Sequence, residues 1–438
     1  MANTYLTKTN SGAGSETKGT FSAWVKISEL GDDNTIFHEF QSSGEFFSIK
    51  LKGGDFQVIA QANSSAFINV RTNAIYRDVS GWYNFVVAID STQGTEADRV
   101  KMYVNGVQET SFSTATYPSP SANCRINANN EQQTIGGAVN SEYFNGLMSH
   151  IHWVDGTAYD ASAFGSTDST TGEWKINTSP SVTYGTNGFF ILKNGNSLTD
   201  ESTNSNNFAL GGGTLTNTED CPSNVFATLN PLTYQVASQM SAPPTNGNTT
   251  LVSGSGGAWG TLISNIGATT GKYYFEAKCI ANGSNCIVGA VDINDYRSNG
   301  SAEWYIGQSS TGQGYQNNGA ASNGGASYGA TYTNGDIIGV AMDLTNSKLY
   351  FSKNGTFQNS GDPTSGATGT GAMSLTAGTT YAFALTGYTS TTWYSNFGNG
   401  YFSTGAVASA GTNASGNGIF EYDTPTGYTA LSTKGLNL

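Results

Sequence analysis

Thirteen Asn-Gly pairs, from Asn105-Gly106 to Asn417-Gly418, punctuate this chain of 438 residues. They sit among short alternating runs such as "TFSAWVKI", "FFSIKLKGGDFQVIA", "YYFEAKCI" and "TYAFALTGY". Asn-Gly favours a two-residue turn with positive φ at both positions, and flanking alternation makes it a β-hairpin signal. One hairpin is written twice. "VKMYVNGVQ" (100 to 108) and "SKLYFSKNGTF" (347 to 357) each follow a strand-like run ending in Asp, at Asp90 and Asp343. Pairing outward from Asn105-Gly106 puts Met102, Val104 and Val107 on one face and Lys101, Tyr103 and Gln108 on the other. The Tyr-to-Asn spacing is two residues in the first copy and four in the second, which preserves side-chain parity. The two hairpins therefore fit equivalent positions in two separate domains.

Helical apolar spacing is not sustained anywhere, and the fold class that follows is all-β: two antiparallel β-sandwich (jelly-roll) domains in tandem. The length is too great for one core of ordinary size. The boundary falls near 233 to 240, where "TYQVASQMSAPPTNGNTT" loses alternation and gains Pro243-Pro244. Two segments share Asp-x-Pro-Ser/Thr followed by an aromatic and Ala, "DCPSNVFATLNPL" (220 to 232) and "DTPTGYTALSTKGLNL" (423 to 438). Each reads as the close of a unit.

Acidic residues exceed basic ones to give a formal charge of −13, without a Lys/Arg cluster, which argues against nucleic acid as a partner. No apolar stretch approaches the length of a membrane span, and the N-terminus lacks an apolar signal region, so the expectation is synthesis in the cytosol without membrane insertion. The four cysteines are too sparse for a disulfide framework. In "CIANGSNC" an Asn282-Gly283 turn would set Cys279 directly across from Cys286; a reducing compartment favours free thiols.

The order "GTFSAWVKIS", "WYNFVVAID", "KMYVNGVQ", "QQTIGGA", "FNGLMSHIHWVDGTAYD" resembles a laminin G-like, concanavalin A-type jelly roll over residues 1 to 160. "GKYYFEAK", "GDIIGVAMDLTNSKLYFSKNGTF", "YAFALTGY" and "WYSNFGNGYF" resemble a SPRY domain over 236 to 402. Residues 161 to 235 then read as an extension completing the first domain plus a linker, and 403 to 438 as a closing segment. Both modules in this order resemble surface proteins of tailed-bacteriophage particles. The resemblance implies a virion surface location and other virion proteins as partners. It also implies assembly with copies of itself, with a trimer as one form, and attachment to a host-surface glycan as fibre or appendage. A capsid decoration subunit without host binding is the alternative, and a polysaccharide depolymerase a further one.

Signals for catalysis are weak. The Glu-x-Asp-x-x-Glu carboxylate pattern of jelly-roll glycosidases is absent, and Glu96 and Asp98 fall in a turn before a hairpin. Of three histidines, His150 and His152 share a strand face by period two but lack an identifiable third ligand, so a solvent-facing pair is expected. The Gly-rich "GSGGAWG" lacks the ending of a phosphate loop and reads as a flexible loop. No cofactor is expected. The laminin G resemblance leaves calcium open through Asp32, Asp33, Asp55 and Asp90, although no loop spacing fixes them in a cage. What remains is a stretch rich in aromatics and amides, 301 to 336, carrying Trp304, Tyr305, Tyr315 and Tyr328. Aromatic faces stack on sugar C–H patches and amides match ring hydroxyls, so these four form the expected carbohydrate site. The opposing reading places Trp304 and Tyr305 in a core strand.

Overall fold

The computed structural model describes residues 3–28, 33–139, 141–233, 240–295, 305–322 and 325–438. Two compact units divide the chain between Asn217 and Thr218. Among the described residues no α-helix occurs, and the regular elements are strands and short 3₁₀ turns. The all-β tandem sandwich is therefore the architecture.

Unit 1 packs two antiparallel sheets. The first runs, in spatial order, Phe112–Thr116, Ser65–Ile75, Asp55–Ala62, Glu45–Lys52, Asn34–Ser42, Gln132–Ile135, Tyr5–Thr9 and Ala209–Gly212. The second runs Phe189–Ile191, Gly146–Asp155, Lys18–Ile27, Tyr83–Asp90, Val100–Val104 and Val107–Gln108. Period two sends Phe47, Ile49 and Leu51 of one sheet and Phe21, Phe85 and Trp153 of the other into a shared core, where Phe37 stacks on Trp153 at 4.8 Å. The outer face of the second sheet is also covered. Val86, Tyr103 and Val154 pack beneath Phe164 and Trp174, which belong to the turn and ribbon of residues 161–176.

Unit 2 repeats the plan. One sheet runs Thr250–Val252, Thr392–Asn396, Lys272–Ala281, Ile337–Asp343, Lys348–Lys353 and Thr356–Phe357. The facing sheet runs Trp259–Ile263, Tyr381–Tyr388, Asn285–Asp292 and Gln313–Gln316. Phe275, Phe383 and Phe397 form the centre of the core. Phe226, Phe420, Tyr428 and Ala430 cover the outer face of the first sheet over Tyr274 and Tyr350.

Both written hairpins form as the sequence predicts. Asn105 and Gly106 have φ of 48° and 80°, and Asn354 and Gly355 repeat those values. Met102 and Val104 enter the core of unit 1, while Tyr103 and Tyr350 each face outward beneath a covering segment. Val107, assigned by parity to the core face, is instead 68% exposed, on the two-residue strand that forms the edge of its sheet.

Three local readings change. The segment 220–232, read as the close of the first unit, belongs to the second unit. There it runs antiparallel to the C-terminal segment it resembles: Ala227 N–H donates to Leu431 C=O at 2.9 Å and Thr433 N–H to Val225 C=O at 2.9 Å. The stretch around Asn282-Gly283 is not a hairpin turn. Lys272–Ala281 and Asn285–Asp292 lie in opposite sheets, so the chain crosses a corner of the sandwich and both cysteines point inward. All four cysteines are free thiols. Finally, Ala258 of "GSGGAWG" is buried and Trp259 begins a strand, so only the glycine-rich tip is an exposed loop.

Candidate functional site

Of the four residues expected to hold carbohydrate, the three that are described do not come together. Trp304 lies outside the described residues. Tyr315 sits in the strand Gln313–Gln316 with its side chain on the core face, fully buried, and Tyr328 is 6% exposed. Their rings meet edge to face at 5.5 Å and join Tyr332 and Phe351 in one cluster. The Tyr328 hydroxyl accepts the Phe351 backbone N–H at 3.2 Å, and the Tyr315 hydroxyl donates to Ala330 C=O. These are core residues, and no ring face is left for a ligand. The Gly/Asn-rich composition of the stretch signals loops, yet its tyrosines fold inward because the cost of burying each hydroxyl is offset by a backbone partner.

Tyr305 has a different setting. It precedes the 3₁₀ turn Ile306–Gln308, half-buried, with its ring stacked on Trp259 at 4.4 Å and 17°. Tyr388 lies directly across from Trp259 in the strand register, ring centroids 5.0 Å apart. All three rings are partly exposed on the outer face of the four-stranded sheet. Their footing is rigid: Ile263, Ile287, Ile306 and Ala384 pack beneath, and Thr261 and Thr386 share a hydroxyl hydrogen bond of 2.8 Å. Around the trio run exposed Ser255, Gly256 and Gly257, part-buried Asn285, and the turn at Thr389-Ser390, whose Ser390 N–H donates to Gly254 C=O. A Cβ at Gly257 would lie 3.5 Å from the Tyr388 hydroxyl, so the loop passes close to the platform. Stacked aromatics with amide and hydroxyl groups at their rim can hold the apolar face of a sugar ring while satisfying its hydroxyls. Trp259 and Tyr388 escaped the sequence reading. The available signal was their equivalent place, each at the end of a strand beside a Gly/Ser turn, but the partnership across strands needs the register.

Unit 1 carries a second opening. An open groove of about 560 Å³ separates the end of the strand Tyr5–Thr9 from residues 204–209, with Thr7, Thr9, Ser11, Gln132, Asn206 and Phe208 on its walls. Hydroxyls and amides dominate that lining.

The remaining expectations resolve residue by residue. His152 is buried, not solvent-facing: it stacks on Phe190 at 3.9 Å, and its Nδ1 shares a hydrogen bond of 2.9 Å with the Tyr184 hydroxyl. His150 has φ of 48° at an irregularity in the strand and hydrogen-bonds Ser149 Oγ through Nδ1 at 2.8 Å. Burial pushes both imidazoles down, toward the neutral form. Asp33 pairs with Lys50 at 2.9 Å, Asp55 with Arg71 at 2.6 Å and Asp90 with Lys18 at 3.2 Å, three separate ion pairs, and Asp32 lies outside the described residues. Among the described residues no group of three or more His, Cys, Asp or Glu is placed to hold a metal ion. Glu96 and Asp98 form an exposed 3₁₀ turn in which Asp98 pairs with Lys101 at 3.0 Å.

Comparison with known proteins agrees with this division. Residues 2–162 match the concanavalin A-like lectin/glucanases superfamily, and residues 272–385 match the SPRY domain. The chain thus carries a laminin G-like, lectin-type domain followed by a SPRY domain. A Ran-binding proteins 9/10 homolog of Drosophila melanogaster is 35% identical over 95 residues, 20% of this chain and only 10% of that protein's length. Among solved structures, the SPRY domain of human HERC1 is 17% identical, with 38% of this chain and 96% of that one covered and a TM-score of 0.29. A heptameric SAP-like pentraxin from Limulus polyphemus is 15% identical, covering 49% of this chain and 90% of its own, with a TM-score of 0.30. Domain 4 of an extracellular arabinanase from Geobacillus stearothermophilus, solved with arabinotriose, is 21% identical, covering 34% and 64%, with a TM-score of 0.27.

Proposed function

We propose that this protein is a non-enzymatic surface subunit of a tailed-bacteriophage particle, of the fibre or appendage kind. In this reading its SPRY sandwich holds host-surface glycan on Trp259, Tyr305 and Tyr388. The observation that carries the reading is the stacked Trp259–Tyr305 pair with Tyr388 in register beside it, three partly exposed rings on a packed sheet. Support comes from the amide and hydroxyl rim around the rings, and from the match of residues 2–162, in the other unit, to the concanavalin A-like lectin superfamily. A net charge of −13 favours neutral or polar sugars over polyanions as the ligand. The sandwiches act as mounts, and edge strands such as Phe112–Thr116 are natural places for further copies or other particle proteins to pair.

The test is retention of purified protein on immobilised host polysaccharide. Trp259→Ala is expected to weaken binding by about tenfold, equivalent to about 1.4 kcal/mol, with the fold intact by circular dichroism. Binding unchanged by Trp259→Ala and Tyr388→Ala together removes the platform. Release of reducing ends from the polysaccharide would replace attachment with depolymerase activity. Antibody labelling of intact particles tests the location.

A further inference from the structure

The core of unit 1 contains a polar triad that the glycan reading does not use. Lys8 and Asn10 are two residues apart at the end of the strand Tyr5–Thr9, so both side chains point the same way. In the register Lys8 lies opposite Gln133, and Gln133 opposite Glu39, which brings an amine, an amide and a carboxyl to neighbouring inward positions. Lys8 Nζ donates to Asn10 Oδ1 at 2.9 Å, and Asn10 Nδ2 donates to Glu39 Oε1 at 3.0 Å. Exposure is 8% for Lys8, 1% for Asn10 and zero for Glu39.

The surroundings hold the triad still. Glu39 also accepts Gln133 Nε2 at 2.9 Å and the Ala128 N–H at 3.2 Å, and Asn10 Nδ2 reaches Ala128 C=O at 3.0 Å. The Lys8 ammonium lies 5.7 Å from the centre of the Phe189 ring and hydrogen-bonds Asn10. An ammonium so placed is a costly burial.

We propose that Lys8, Asn10 and Glu39 form a self-modifying centre in which Lys8 Nζ condenses with the Asn10 side-chain amide to form an isopeptide bond, releasing ammonia. The Nζ lone pair adds to Asn10 Cγ and negative charge gathers on Oδ1, while Glu39, whose Oε1 faces Asn10 Nδ2 at 3.0 Å, gives its carboxyl proton to that nitrogen. The Glu39 carboxylate then takes the proton that Nζ sheds, which restores the acid, and the oxyanion collapses to the amide carbonyl. The Cγ–Nδ2 bond breaks with its electron pair going to nitrogen, and ammonia leaves. One carbon–nitrogen bond forms and one breaks, with no oxidant, reductant or external reagent.

Two barriers that stop amines from attacking amides in water are lowered by the site. The two side chains are already joined by the 2.9 Å bond from Nζ to Oδ1 and held by neighbours, which removes much of the entropic cost of meeting. Burial pushes Lys8 down to about 8, against the opposing pull of Glu39, Asp200 and Asp155, and pushes Glu39 up to about 7. The neutral amine and the carboxylic acid are the forms the reaction needs. The product replaces a buried ammonium with a neutral amide, and loss of ammonia to solvent makes the step one-way.

The experiment is mass spectrometry of the full chain after incubation at neutral pH, followed by trypsin. The expected N-terminal peptide runs through Lys18 uncut after Lys8, is lighter by one ammonia, and survives hydroxylamine, which opens a succinimide but not an isopeptide. Lys8→Arg and Glu39→Gln chains are each expected to keep full mass. Should Glu39→Gln fail to fold, Lys8→Arg alone decides. A wild-type peptide of full mass cut normally after Lys8 overturns the proposal, as does ammonia loss that persists in Lys8→Arg.

Discussion

Asn105 closes on Asn84 through two hydrogen bonds: its backbone N–H donates to Asn84 C=O at 2.9 Å, and its side-chain Oδ1 accepts Asn84 N–H at 2.8 Å. In unit 2 the same exchange joins Asn354 to Ile337, at 2.8 and 2.9 Å. The turn asparagine is therefore more than a residue tolerant of positive φ. Its side chain caps a backbone donor at the start of the neighbouring strand, a task glycine cannot perform. Asn105→Ala and Asn354→Ala each leave a strand-end N–H without its acceptor and place a Cβ residue at φ of 48°. A loss of about 1–3 kcal/mol is expected for each, confined to the mutated unit, as measured by urea unfolding. Asparagine-to-aspartate changes, which keep the acceptor, should lose less.

That double use explains why the hairpins were legible and other features were not. Asn-Gly with alternation reports local geometry, and the local geometry is what formed. The Asn282-Gly283 pair carries the same two letters, yet Ala281 pairs with Thr392 and Asn285 with Tyr388, strands far along the chain that draw the two flanks into opposite sheets. Tyr315 and Tyr328 failed for a related reason. Glycines around them permit close approach, as at Gly289, where a Cβ would meet Gln313 C=O at 2.0 Å, and so the amide-rich stretch packs against the sandwich instead of standing out from it. The platform of Trp259, Tyr305 and Tyr388 joins three distant segments, which composition cannot bring together.

Glu276, on the strand Lys272–Ala281, is fully buried and holds the C-terminal segment by its backbone. Its carboxylate accepts Glu421 N–H at 2.7 Å, Tyr422 N–H at 2.9 Å and the Tyr274 hydroxyl at 3.2 Å. A glutamine presents an NH₂ where an oxygen now receives donors, so one of these bonds must be lost. Glu276→Gln is expected to destabilise unit 2 by about 1–3 kcal/mol. Hydrogen exchange should quicken at residues 419–430 before it does in the strand Tyr381–Tyr388; uniform quickening across the unit would show that Glu276 is not a local clamp.

The two units should respond to acid in opposite directions. Burial raises Glu276 from 4.5 to about 7, so between those values the folded chain holds a proton that the unfolded chain has released. The stability from this group is full below pH 4.5 and is lost as pH rises through 7. All three histidines lie in unit 1, where burial lowers His38 and His150 from 6.5 to about 4 and His152 further in the same direction. Their contribution is full above pH 6.5 and is lost as pH falls through 4, opposed by Glu39, which burial raises to about 7. Urea unfolding followed through methyl signals of each core should show unit 2 gaining and unit 1 losing stability between pH 7 and 4.5. A shift of both units in one direction would refute the assignment.

Thiol reactivity offers a check on the corner that replaced the expected hairpin. Cys279 and Cys286 face the same core from opposite sheets, both with zero exposure, and Cys286 Sγ lies 4.0 Å from the Tyr332 hydroxyl. Cys124 is equally buried, and burial pushes its thiol up to about 11. Cys221 is the one of the four with partial exposure, its sulfur beside Ser223 Oγ at 3.4 Å. The thiolate is the reacting form, and a buried thiol gains neither charge nor access to reagent. Native protein treated with an aromatic disulfide reagent should therefore release one equivalent quickly, from Cys221, and the other three only as the units unfold. Replacing Cys221 by serine should abolish the fast phase; fast labelling of Cys279 or Cys286 in the folded chain would mean that the corner is open to solvent and that the sheets do not close over it.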